Sequence, residues 1–133
     1  MKRNAIIIKK SIDGKRCIAV DEELAEELLR FFMQDNRYQK KFNHICELIL
    51  GSHVNRELYD KEEPDDKCRG VRAMKFFKGQ DNARVYCKEV TLKDKTFVVI
   101  AAGVLNSKKQ NKLSYKELNI IHRVAGYEYN KIE

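Results

Sequence analysis

Ala83-Arg84-Val85-Tyr86-Cys87-Lys88-Glu89-Val90, Thr96-Phe97-Val98-Val99-Ile100-Ala101-Ala102-Gly103-Val104-Leu105 and Asn106-Ser107-Lys108-Lys109-Gln110-Asn111-Lys112-Leu113-Ser114 follow one another in the last third of the chain. The first two stretches are rich in β-branched and aromatic residues and read as strands. The third holds three lysines and no acid, and Ser114-Tyr115-Lys116-Glu117 behind it has the spacing of a helix capping box. Two strands therefore lead into a cationic loop at the rim of a sheet, and a helix follows.

Upstream, Val71 to Phe77 is a third strand candidate. The intervening Lys78-Gly79-Gln80-Asp81-Asn82 and Leu92-Lys93-Asp94-Lys95 are turn-like, so residues 68–105 are expected to form antiparallel strands. At the N-terminus, Ala5 to Lys10 and Arg16 to Val20 flank Asp13-Gly14, the signature of a β-hairpin over residues 1–20. Asp21 suits a helix N-cap, and Leu24, Leu28 and Phe31 form a stripe widened by Leu29 and Phe32. After a break at Asp35-Asn36, Tyr38, Phe42, Ile45 and Ile49 mark a second apolar face ending near Gly51. Residues 21–51 thus read as a helical hairpin laid on the sheet. His53 to Lys67 is polar and acidic and reads as a surface loop. A C-terminal helix spans 114–126, with Leu118, Ile121 and Ala125 on its apolar face and Tyr127 to Tyr129 as a short tail. The expectation is one α+β domain over 1–133, a helical hairpin on a mainly antiparallel, curved sheet.

The chain has 133 residues, 35% of them charged, with a net charge of +7. Residues 1–66 carry 12 Lys/Arg and 14 Asp/Glu, a balance of −2, whereas residues 67–133 carry 15 and 6, a balance of +9. A basic half beside a near-neutral one points to a polyanionic partner. No apolar run is long enough for a membrane span or a signal peptide, so a cytoplasmic location is expected. Cys17, Cys46, Cys68 and Cys87 lack the paired spacing of a zinc or redox motif. They are expected to be small buried residues, with no metal and no cofactor.

From about Arg69 to Tyr129 the order of features resembles the RelE/HigB toxin superfamily of bacterial toxin–antitoxin systems. The matching elements are Met74-Lys75-Phe76, Arg84-Val85-Tyr86, the apolar run Phe97 to Leu105, Lys108-Lys109-Gln110-Asn111-Lys112, and Glu117 through Arg123 to Tyr129. The upstream hairpin fits the family order of strand, two helices, then antiparallel sheet. Two departures stand out. Leu113-Ser114 replaces a usual proline, and Lys75 replaces a common arginine, losing the planar fork. The resemblance implies a RelE-like fold and an mRNA interferase that acts on the ribosome and is silenced by an antitoxin protein. Relatives in the superfamily act on DNA gyrase instead, so fold does not settle target.

Metal-independent RNA cleavage needs a base for the 2′-hydroxyl, an acid for the leaving oxygen and cations for the phosphorane. Arg84 opens a strand and can clamp a phosphate with two parallel hydrogen bonds. It is assigned a catalytic role with Lys109. Tyr127 and Tyr129 join them because they sit where the resembling toxins place functional aromatic or histidine residues. Lys75, Lys108, Lys112 and Arg123 are the expected RNA-binding cations. His122 falls at the edge of the helix's apolar face and suits a partly buried structural role. Two other readings remain: a non-catalytic RNA-binding or gyrase-directed module of the same fold, and a basic protein–protein interaction domain.

Overall fold

The computed structural model of this chain describes residues 2–108 and 114–133. The fold is α+β: among the described residues, three α-helices pack on an open seven-stranded mixed sheet. The strands are β1 (Lys2–Lys10), β2 (Arg16–Asp21), β3 (Tyr59–Lys61), β4 (Val71–Phe76), β5 (Ala83–Thr91), β6 (Phe97–Leu105) and β7 (Glu128–Ile132). The helices are α1 (Ala25–Phe32), α2 (Asn36–Leu50) and α3 (Tyr115–Gly126). The sheet order is β3-β4-β5-β6-β2-β1-β7.

The expected meander is present, with β4·β5 and β5·β6 both antiparallel, and β1·β2 is the expected hairpin, turning through Gly14 at a φ of +71°. Two pairs are parallel, β2·β6 and β1·β7. Both involve partners more than seventy residues apart, and no local pattern announces them. The expected loop over His53 to Lys67 contains β3, whose three residues pair with Met74, Ala73 and Arg72. The expected tail is likewise a strand, β7, laid along β1 at the sheet's edge. Both corrections have one cause: short polar edge strands owe their form to the strand beside them rather than to their own propensity.

The uninterrupted apolar run of β6 is explained by its central place, covered on both faces. On one face α1 and α2 bury Leu28, Phe31, Phe32, Tyr38, Phe42, Ile45 and Ile49 against Met74, Phe76, Val85, Cys87, Val99 and Ala101. The centre is aromatic, with Phe32 and Phe42 stacked at 3.8 Å between ring centroids. Asp35 caps α2, its carboxylate accepting from Tyr38 N at 2.8 Å. Leu29, counted into the stripe of α1, lies exposed.

On the opposite face α3 packs Ile120, Ile121 and Val124 over Ala73, Tyr86 and Ala102. This face is rotated from the expected Leu118, Ile121 and Ala125, because Glu117 is itself buried. Alternate residues of β4 and β5 thus serve two separate cores. Gly103 permits the close approach of α3: a Cβ there would lie 2.8 Å from Cγ2 of Ile120. All four cysteines are buried and unpaired, as expected. Among the described residues no helix is long and apolar enough to cross a membrane.

Candidate nucleic-acid interface

Lys75 on β4 and Arg84 on β5 are directly paired across the strands. Their neighbours Met74 and Val85 point into the α1/α2 core, so both cations rise on the α3 face. Arg84 is buried, 7% exposed, and its Nη1 lies 3.3 Å from Oε1 of Glu62, just after β3. Lys75 Nζ donates to the Arg56 carbonyl at 3.2 Å. Partial burial and the nearby Arg84 charge lower the Lys75 pKa.

Across β6, Arg84 pairs with Leu105, the last residue before the lysine loop. The loop returns over the start of β5: Lys108 N donates to the Asp81 carbonyl at 3.1 Å, and Asn82 Nδ2 donates to the Lys108 carbonyl at 3.4 Å. Lys108 Nζ then meets Oε2 of Glu117 at 3.3 Å. The same oxygen accepts the hydroxyl of Tyr86, whose pKa is driven far up by burial and by that bond.

The Ser114-x-x-Glu117 spacing is only half a capping box. Ser114 Oγ accepts from Glu117 N at 3.0 Å, but the Glu117 carboxylate turns inward to Tyr86 and Lys108. A buried carboxylate in the first turn of a helix is favoured by the macrodipole and by these two donors. Three buried atoms at this corner, Arg84 Nε, Asn82 Oδ1 and Glu117 Oε1, have no hydrogen-bond partner among the described residues. Such atoms are met by water, a ligand or a further protein group.

The structure therefore sets Lys75 beside Arg84 and joins Lys108 to the same sheet face through Glu117 and Tyr86, with Glu62 on Arg84. These last three were not singled out from the sequence. In the sequence Tyr86 stands inside the Arg84-Val85-Tyr86 motif and Glu117 inside the capping pattern, and neither local pattern points to the other residue. Lys109 and Lys112 lie outside the described residues.

Tyr127 and Tyr129 do not join this group. Glu117 and Tyr127, the C-cap of α3, stand ten positions apart, roughly 15 Å at the α-helical rise. Tyr129 O–H donates to Oδ2 of the fully buried Asp21 at 2.6 Å, and burial with this bond pushes its pKa up. Arg3 completes the cluster with two bonds to Asp21, at 2.6 and 3.0 Å, while its guanidinium sits 4.0 Å over the Tyr127 ring. The Tyr127 carbonyl, with that of Ala125, accepts from Lys88 Nζ at the end of α3. These contacts fasten β7 and α3 to the sheet.

Arg123 is exposed on α3 and lines a groove of about 280 Å³ with Lys116, Asn106, Gly103 and Tyr127. A larger cavity, about 540 Å³, lies on the far side between the end of α2 and β3. Of its three arginines, Arg72 faces Glu89 at 3.3 Å and Arg16 donates to the Ile49 carbonyl at 2.8 Å, and Arg56 is the third. Chemistry and cavity size point to different places, and the corner at Arg84 has the stronger chemistry.

The chain matches no protein-family model, no curated protein and no solved structure.

Proposed function

We propose that this protein is the toxin of a type II toxin–antitoxin pair, an RNA-cleaving enzyme whose phosphate site is the corner of Lys75, Arg84 and Lys108. The observation that carries this reading is their shared sheet face. Lys75 and Arg84 are cross-strand neighbours, and Lys108 reaches Glu117, which Tyr86, two residues along β5 from Arg84, also meets; three buried polar atoms beside them have no partner among the described residues. The strongly basic second half and the element order from β2 onward support it, since strand, two helices and antiparallel strands follow as the RelE/HigB resemblance implies. β1, β3 and β7 stand outside that order.

In this reading an RNA phosphate displaces Glu62 from Arg84 and draws Lys108 from Glu117. Arg84 and Lys108, with Lys109 and Lys112 of the same loop, neutralise the charge that builds on the phosphorane. Glu117, relieved of its ammonium partner and held by Tyr86, takes the 2′-hydroxyl proton as the 2′-oxygen attacks phosphorus. The P–O5′ bond breaks to leave a 2′,3′-cyclic phosphate, and the departing 5′-oxygen takes a proton from water, which Glu117 replaces. The substrate is mRNA on the ribosome, no metal or cofactor takes part, and an antitoxin covers the basic corner in the cytoplasm. Tyr127 and Tyr129 act by holding the C-terminal segment.

A second reading, a non-catalytic RNA-binding module of this architecture, is favoured by one observation: both key cations are already matched to carboxylates of the same chain. Primer extension on cellular mRNA after induction separates the two. New 5′ ends with the wild-type chain, absent with Arg84→Gln/Lys108→Gln, support cleavage. Intact mRNA together with salt-dependent RNA binding supports the binding module. Growth arrest with neither effect overturns both.

A further inference from the structure

We propose that Asp65, Cys68 and His122 form a three-ligand site for a thiophilic divalent cation, Zn²⁺ foremost, that fastens the turn before β4 to α3. A carboxylate oxygen, Sγ and a ring nitrogen from these residues lie within 4.8 Å of one another. The sequence conceals the set, because it contains no Cys-x-x-Cys pair and His122 stands 54 positions beyond Cys68.

The local backbone explains why the first two ligands meet. Asp65 caps the 3₁₀ turn Asp66–Cys68, its Oδ1 accepting from Lys67 N at 2.9 Å. The turn closes with Cys68 N donating to the Asp65 carbonyl at 3.1 Å, which brings the two residues together. Asp65 Oδ2 remains for His122, whose Nε2 lies 2.8 Å away. Cys68 is fully buried in the core that α3 shares with β4 and β5, so the sulfur is held by packing on both partners.

The donor set suits the cation. Sulfur, imidazole nitrogen and carboxylate oxygen together are a zinc-type set, and a thiolate, a carboxylate and a neutral imidazole balance two positive charges. Tetrahedral bonds of about 2.0–2.3 Å put neighbouring ligand atoms about 3.3–3.7 Å apart. The Asp65–His122 contact therefore opens by about half an ångström on binding. Asp65 and His122 are partly exposed, which gives the ion a path in and leaves its fourth position to water. The thiol proton of Cys68 passes to solvent as the Zn–S bond forms.

Titrating the full-length chain with Co²⁺ is the direct test. One equivalent should produce a sulfur-to-cobalt charge-transfer band, reversed by Zn²⁺ and absent in Cys68→Ser. Because a buried serine can disturb folding, His122→Ala at the rim is the second variant. With an unchanged circular dichroism spectrum, it should bind Zn²⁺ at least tenfold more weakly in competition with a chromophoric chelator. Zn²⁺ should also raise the melting temperature of the wild type and not of His122→Ala. No charge-transfer band in the wild type, or a loss below tenfold in folded His122→Ala, would overturn the site.

Discussion

Replacing Tyr129 by phenylalanine removes one hydroxyl and keeps the ring, which isolates the bond to Asp21. That bond is 2.6 Å long and ends on a carboxylate with no solvent exposure, so it belongs to the charge-assisted class, each contributing about 1.5–3 kcal/mol. In the variant, Asp21 still accepts from Arg3 Nε at 2.6 Å, Arg3 Nη2 at 3.0 Å and Glu23 N at 2.9 Å. No buried charge is orphaned, which keeps the loss below the ~3–5 kcal/mol of a broken buried ion pair. At about 2.1 cal/mol/K of unfolding entropy per residue, the chain loses roughly 3–4 °C of Tm per kcal/mol, so Tm should fall by roughly 5–11 °C. Urea unfolding should show the same loss as a shift in midpoint at constant slope.

The pH dependence has a definite sign. The folded pKa of Tyr129 is raised, so its contribution is complete below the unfolded value of about 10 and fades as pH climbs toward the folded one. The gap between the wild type and Tyr129→Phe should therefore narrow above about pH 10. A stability loss under about 0.5 kcal/mol would refute the structural account. Lost RNA cleavage at unchanged stability would restore Tyr129 to the chemistry.

Lys108→Met strands the Glu117 carboxylate in the core with Tyr86 as its remaining side-chain donor among the described residues and should destabilise by about 2–4 kcal/mol in chemical denaturation. Glu117→Gln should cost about 1 kcal/mol, and the double variant should be more stable than Lys108→Met alone. Gly103→Ala places a Cβ against Ile120 and Val124 at 2.8 and 3.2 Å and should lower stability by about 1–2 kcal/mol by calorimetry, despite the entropy gained in the unfolded chain. Glu62→Gln frees Arg84 from its competitor, so RNA affinity measured by fluorescence anisotropy at low salt should rise about fivefold, equivalent to ~1 kcal/mol. Arg84→Gln should reduce it and flatten the salt dependence.

Local patterns in the chain determined most of the elements. Alternation and turn chemistry mark β1, β2, β4 and β5, and the continuous apolar run marks β6 as a strand. The stripes of α1 and α2, the break at Asp35-Asn36 and the cap at Ser114 mark the helices, although Asp21 caps the 3₁₀ turn Glu22–Leu24 ahead of α1 rather than α1 itself, and the charge imbalance marks the basic half. These signals survive because each is set by neighbours a few residues away, through helix and strand periodicity and side-chain bonds to nearby backbone. Only the tertiary structure decided that β2 lies parallel to β6, that Tyr59–Lys61 and Glu128–Ile132 are strands, and that α3 covers the face opposite α1 and α2. The same holds for the pairing of Arg84 with Glu62, of Tyr86 with Glu117 and of His122 with Asp65, and for the gap between the C-terminal tyrosines and the basic corner. Periodicity states which face of a segment is apolar but not which segment will cover it. Partners twenty to a hundred residues apart are chosen by how the whole set of faces packs at once.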